Sequence, residues 1–217
     1  MREHILLTGM VLETGPVGDY DRRLVVLTRE RGKVTIFAHG ARRQNSKLSA
    51  SCSPFVFGEF KVYEGKTAYN LIDIEVRFYF EELRTNLEGA YLGMYFLEYA
   101  SYYSRENNDE TELLKLLFQS IRAVVKGTID YKLIRAVYEI KILSVNGEFP
   151  GIPEDRELRG GTVYTVDFIV NTPVEKLYTF KVSEPVLKEL SELSDEYRRR
   201  YTDHRFKSLK MLDDITG

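Results

Sequence analysis

Apolar residues recur at strand-like intervals through the first third of the chain. Five runs, Ile5–Leu12, Leu24–Thr28, Lys33–Ala38, Phe55–Tyr63 and Ala68–Val76, are rich in Val, Ile, Phe and Tyr, residues that pack well on a half-buried pleated surface. Turn chemistry separates them. Gly15-Pro16-Val17-Gly18-Asp19 follows the first run, Arg31-Gly32 joins the second to the third, and Glu64-Gly65-Lys66 joins the fourth to the fifth. Five short antiparallel strands with a longer insertion after the third predict a small closed barrel of the OB type. Ser46–Cys52 in that insertion reads as a short helix.

From about Glu81 the period becomes helical. Leu83, Leu87, Ala90, Tyr91, Met94 and Leu97 share one predicted face, and Leu114, Leu117, Ile121, Val124 and Val125 share another. A third helix carries Leu133, Ala136, Val137, Ile140 and Leu143 and ends near Asn146-Gly147, a natural C-cap. The stretch from Pro150 to Pro173 is punctuated by Gly and Pro; within and after it, Thr162–Val170 and Leu177–Val182 are expected as strands. Helical spacing returns with Val186, Leu190, Leu193 and Tyr197, and a last short helix is expected over Phe206–Leu212. The fold class is α+β: a barrel over residues 1–80, a helical domain over 81–147, a short β insertion over 148–183, and a helical return over 184–217 that packs on the helical domain.

Composition narrows the class. Hydrophobic residues at 43% and charged residues at 29% describe a soluble globular chain, not a disordered one. No stretch reaches the roughly 18 uncharged apolar residues that span a bilayer, and Met1-Arg2-Glu3-His4 leads straight into a strand pattern without a signal core. A cytoplasmic, nucleoid-associated protein is expected. The lone Cys52 cannot form an internal disulfide, and the three histidines, His4, His39 and His204, lie far apart; no metal or other cofactor is expected.

A formal net charge of −2 says little about partners, but its distribution says more. Between Arg22 and Lys47 stand eight basic residues, Arg22, Arg23, Arg29, Arg31, Lys33, Arg42, Arg43 and Lys47, against one acid, Glu30. A second cluster comprises Arg198, Arg199, Arg200, Arg205, Lys207 and Lys210. Such cations can contact phosphates, with Tyr20, Phe37 and His39 stacking on exposed bases. They can equally form a solvated strand face with Tyr20 and Phe37 buried in the barrel. The second cluster can extend a nucleic-acid path or complement the C-terminal end of a helix that begins near Pro185. In Ala38-His39-Gly40-Ala41-Arg42-Arg43, a glycine at a strand end lets the backbone turn sharply and project adjacent arginines.

The pattern Val11-Leu12, Asp21, Leu24-Val25-Val26-Leu27-Thr28, Gly32-Lys33, Ala38-His39-Gly40-Ala41-Arg42, Ser46-Lys47-Leu48 and Ser53-Pro54-Phe55 resembles the N-terminal domain of the RecO family. The resemblance continues more weakly through Tyr138-Glu139-Ile140, Leu143 and Gly147, and returns at Phe206-Lys207-Ser208-Leu209. It implies a recombination mediator in DNA repair. Such a protein binds single- and double-stranded DNA, anneals complementary strands, and works with a RecR-type partner to help load RecA on strands coated by single-stranded DNA-binding protein (SSB). It also implies capture of the acidic, Phe-ending SSB tail on the helical domain. Lys132, Arg135 and Lys141 are the candidate partners of its carboxylates, with Ile140 or Leu143 for its aromatic end; an ordinary amphipathic helix with a solvated basic face reads the same way. Two departures stand out. His39 replaces the family's usual lysine, and the four cysteines that hold zinc in many members are absent, so the β insertion would replace a zinc module.

Nothing points to catalysis. Glu81-Glu82, Asp109-Glu110 and Asp213-Asp214 have no His or Lys base nearby in sequence, Gly15-Pro16-Val17-Gly18 lacks the following Lys-Ser/Thr of a phosphate loop, and Cys52 has no partner base. A DNA binder that is not an enzyme is expected. An RNA-binding barrel, or a protein–protein adaptor whose basic face meets an acidic partner, shares the same composition and charge.

Overall fold

The structure, a computed structural model, describes residues 4–154 and 156–216. The N-terminal strands are β1 (His4–Val17), β2 (Asp21–Thr28), β3 (Gly32–Ala38), β4 (Phe57–Glu64) and β5 (Tyr69–Phe78), with the one-turn helix α1 (Leu48–Ser51) between β3 and β4. They close into a barrel in the order β1-β2-β3-β5-β4. Strict alternation drives closure: in β3, Val34, Ile36 and Ala38 point inward while Lys33, Thr35 and Phe37 point outward. Leu7, Val11, Leu24, Val26, Phe60 and Val62 complete the interior.

β1 runs past the turn expected at Gly15-Pro16. Gly15 and Pro16 pair with Arg23 and Arg22, and the chain reverses at Gly18, whose φ is +54°. A bulge between Val11 and Glu13 resets the register there. Beyond Val11, β1 pairs with β2 alone. Proline, which lacks an N–H, is tolerated on such a one-sided ribbon.

The remaining elements are helical: a 3₁₀ turn at Glu81–Thr85, α2 (Leu87–Tyr103), α3 (Thr111–Lys126), α4 (Tyr131–Val145), α5 (Gly160–Asn171), a 3₁₀ turn at Val174–Lys176, α6 (Glu184–Tyr201) and α7 (Lys207–Thr216). Two compact units result. One joins the barrel through Glu81 to Leu97–Leu114; the other joins Glu82–Phe96 to the described chain from Lys115 onward.

Two expectations are corrected here. The strand expected at Thr162–Val170 is α5, and Leu177–Val182 follows the 3₁₀ turn as irregular chain; no β insertion exists among the described residues. The β-branched composition of Thr162–Val170 suits a strand, but Thr162, Thr165, Val166 and Ile169 are buried at helical spacing. Packing has overridden propensity. The other correction concerns α2, where Leu87 and Met94 are exposed and Leu92, Tyr95, Phe96 and Tyr99 are buried. A helix apolar on nearly every side carries no legible face. Specific contacts choose one: Phe96 stacks on Tyr138 at 4.1 Å, and the Tyr95 hydroxyl donates to Glu139 at 2.6 Å.

Glu139 organises the second unit. Only 1% exposed, its Oε1 accepts from Arg135 Nε at 3.0 Å and lies 3.5 Å from Arg198 Nε, while Arg135 and Arg198 also bond Asp195 at 2.6 and 2.8 Å. This ties α4 to α6. Farther along, Glu189 of α6 takes the Thr162 hydroxyl at 2.5 Å, the Arg159 N–H at 3.1 Å and the Arg159 guanidinium, clasping the start of α5.

Truncating Glu139 (E139A) would leave buried guanidinium groups short of their counter-charge and should cost about 3 kcal/mol by chemical denaturation. The Thr162 hydroxyl and then the Arg159 N–H hold the Glu189 carboxyl below its ordinary 4.5. Its contribution is therefore present above that pH and lost as pH falls through the lowered value. E189Q should flatten the acid limb of a stability-versus-pH profile.

Candidate nucleic-acid interface

The basic run Arg22–Lys47 does not form one face. β2 and β3 are a ribbon with the Arg29–Arg31 hairpin at one end and the His39–Arg43 turn at the other, separated by roughly 23 Å at about 3.3 Å per residue. At the hairpin, Arg29 is engaged by Glu30 at 2.9 Å and Arg31 is exposed.

Strand parity removes one candidate, and a covering contact removes another. Arg22 shares the inward side of Leu24 and Val26, and its guanidinium donates to the carbonyls of Ser49 and Cys52 at 3.2 Å each, fastening α1 to the end of the barrel. Lys33 points outward, but its ammonium is covered and donates to the Ser101 carbonyl at 2.6 Å; burial, and then Arg105, lowers its pKa. Both are scaffold cations. Arg23 also faces outward, paired with Glu13 at 3.0 Å and standing opposite half-buried Phe37.

The other end of the ribbon is built differently. Gly40 has φ +70°, a conformation open to glycine. The chain therefore turns just after Ala38 and drops the Ala41 methyl into the barrel core, which forces Arg42 and Arg43 outward. The Arg42 N–H donates to Tyr20 O at 2.8 Å, its guanidinium donates to Gly18 O at 2.9 Å, and the Arg43 guanidinium lies 5.5 Å from the centre of the Tyr20 ring. Tyr20 is 55% exposed, so neither it nor outward-facing Phe37 belongs to the barrel interior. Lys47 is exposed just before α1.

Two residues that the charge pattern missed complete the turn. Asp21 accepts the Gly40 N–H at 2.8 Å and contacts His39 Nδ1 at 2.7 Å; Asn70 of β5 contacts His39 Nε2 at 3.1 Å. The Gly40 N–H, and then His39, hold the Asp21 carboxyl below its usual range, and Asp21, then Asn70, raise the His39 pKa. Asp21 stands 19 residues from Gly40 and Asn70 stands 31 from His39, so charge and spacing did not join them to the turn, although Asp21 stands in the family pattern.

The second cluster is divided as well. Arg198 belongs to the Glu139–Asp195 network and is not a surface contact. Arg199 lies 3.8 Å from Asp195, Arg200 lies 5.8 Å from the centre of the Tyr201 ring, and Arg205 and Lys207 are exposed. Arg198, Arg199 and Arg200 all sit in the last turn of α6, where cations favour the helix dipole. The residues expected to take an SSB tail on α4 do not share an exposed face. Ile140 and Leu143 are fully buried, and Lys141 donates to the Val170 and Thr172 carbonyls at 2.8 Å, capping α5. Arg135 is held by acids, which leaves Lys132 as the exposed cation of that group.

No group of three His, Cys, Asp or Glu residues suited to a metal occurs among the described residues, and no described helix is long and apolar enough to cross a membrane. Cys52 is buried in the barrel, and burial pushes its thiol up to about 11.

A closed five-stranded barrel with a glycine-hinged arginine turn at one end defines an OB-type barrel protein. Residues 1–80 match the family described as Recombination protein O N terminal, and residues 84–152 and 152–210 match Recombination protein O C terminal. The chain belongs to the RecO family. It is 24% identical to the DNA repair protein RecO of Acetivibrio thermocellus over 98% of each chain. It is 34% identical to that of Bacillus pumilus over 67% of this chain and 57% of the relative, and 29% identical to that of Bacillus subtilis over 65% and 55%.

Replacing Arg22 (R22A) should lower the stability of the barrel by about 1–2 kcal/mol in a thermal melt, through loss of charge-assisted bonds to two carbonyls, and should leave nucleic-acid affinity within about twofold of wild type.

Proposed function

We propose that this protein is a recombination mediator in DNA repair that binds single- and double-stranded DNA, anneals complementary strands and assists RecA loading on SSB-coated single strands. The observation that carries the reading is the outward presentation of Arg42 and Arg43 by the Gly40–Ala41 turn, beside exposed Tyr20. Guanidinium groups displace condensed counterions from phosphates, and an adjacent ring offers a face on which a base can stack. Bringing two strands to such a surface screens their mutual repulsion and lets complementary bases meet, with no bond made or broken by the protein.

Lys47, His39, Arg31 and Arg23 are secondary contacts in this reading, and Arg199, Arg200, Arg205 and Lys207 supply a further basic surface. An SSB tail, a RecR-type partner and the cytoplasm are the setting that the resemblance to the RecO family implies. The tail docks on the helical unit away from Ile140, Lys141 and Leu143, whose side chains are already occupied.

Reversing both turn arginines (R42E/R43E) should weaken binding of a fluorescent single strand at least tenfold and reduce the salt slope by roughly 1.4, at about 0.7 per phosphate contact. Unchanged affinity at moderate salt would sink the assignment. Annealing on SSB-coated strands, repeated with SSB lacking its acidic tail, tests the tether separately.

A further inference from the structure

A carboxylate beside two phosphate-binding arginines should repel the ligand. Asp21 nevertheless stands there, as the first residue of β2, with both oxygens committed to the turn. Oδ1 accepts the Gly40 N–H at 2.8 Å, on the residue whose positive φ redirects the chain. Oδ2 faces His39 Nδ1 at 2.7 Å. The far ring nitrogen faces Asn70 Oδ1 at 3.1 Å, reaching across to β5. A ring that donates to oxygen on both sides carries a proton on each nitrogen. In its protonated form His39 donates on both sides and neutralises Asp21 where it stands.

We propose that Asp21 is a positioning residue for the phosphate-binding turn: its two oxygens hold the Gly40 N–H and the His39 ring so that Arg42 and Arg43 stand outward to meet a nucleic-acid backbone. The proposal rests on the reading of those arginines as phosphate contacts. It goes beyond that reading by giving an acid of the site a constructive part and by making the grip depend on His39. The charged groups concerned are Asp21 from β2 and Arg43 from the turn, which also acts on Asp21; β5 contributes the uncharged Asn70. When the ring loses a proton it can donate to only one neighbour. Asp21 then regains an uncompensated charge next to Arg43, and affinity for phosphate falls. The same ion pair and the Asn70 contact raise the His39 pKa, which extends the gripping state upward in pH.

The experiment is anisotropy of a fluorescent oligothymidylate at constant ionic strength, from about pH 6 to about pH 9, on the full chain as wild type, D21A, D21N, H39K and R42E/R43E. Wild type should lose affinity with rising pH by roughly threefold to fivefold, the effect of one unit charge at short range in a solvent-exposed site. H39K, whose charge does not titrate over this range, should show no such loss. D21A should bind roughly fivefold more weakly than wild type despite the removal of a negative charge, the order of one lost hydrogen bond. D21N, which retains an acceptor for Gly40, should recover most of that loss. A D21A protein that binds as tightly as wild type or more tightly overturns the proposal, because a carboxylate that merely repels the ligand gives that result. Should D21A fail to fold, identical pH slopes in wild type and H39K overturn it equally. Undiminished binding by R42E/R43E is a different failure, since it removes the phosphate-contact reading and the proposal with it.

Discussion

The barrel is held shut by its narrowest seam. β3 and β5 meet in parallel through only two residue pairs, Ile36 with Tyr69 and Phe37 with Asn70, whereas every other neighbouring pair runs antiparallel over at least seven. The interior side chains depend on that closure, because an open sheet of this size would expose the row that Leu24, Val26, Val34 and Ile36 bury. The seam also lies one residue from the His39–Arg43 turn. Asn70, which pairs with Phe37, is the residue whose side chain reaches His39. Closure and presentation of the turn are therefore one event.

A comparable economy governs the helical unit. Its buried charge is concentrated on Glu139, whose second oxygen has no hydrogen-bond partner among the described residues. Such a group costs free energy unless its neighbours are well placed, so its value is geometric more than energetic. It selects one arrangement of α4 against α6 from the many that apolar contacts alone would permit. Arg198 serves this arrangement, which is why a run of three arginines in sequence supplies only two toward solvent.

Much of the barrel was legible because a period of two residues is a direct image of an inside and an outside. Its strands were predicted in order, and the Gly-Ala-Arg turn was recognisable as a sharp corner that presents cations. What failed was any inference that needed a partner distant in the chain. Arg22 looked like its neighbours until the carbonyls 27 and 30 residues away were in place, and Lys33 until one 68 residues away covered it. α5 was misread for a related reason. β-branched residues favour strands in isolation, and only the surfaces of α4 and α6 make a helix of them here. The α2 face was unreadable because nearly every position is apolar, and the choice fell to hydroxyl and ring contacts with α4.

The long, bulged first strand has a consequence for how copies of the chain behave in a crowded cell. Past Val11 it leaves one side of its backbone without a sheet neighbour, and such an edge invites another molecule to add a strand of its own. Pro16 sits in that segment with no N–H to offer, so any incoming strand would lose a ladder bond there. The kink and extra twist of the bulge turn the segment further from a flat template. The end of β1 is thereby a poor template for a second barrel to zip onto, even at high local concentration.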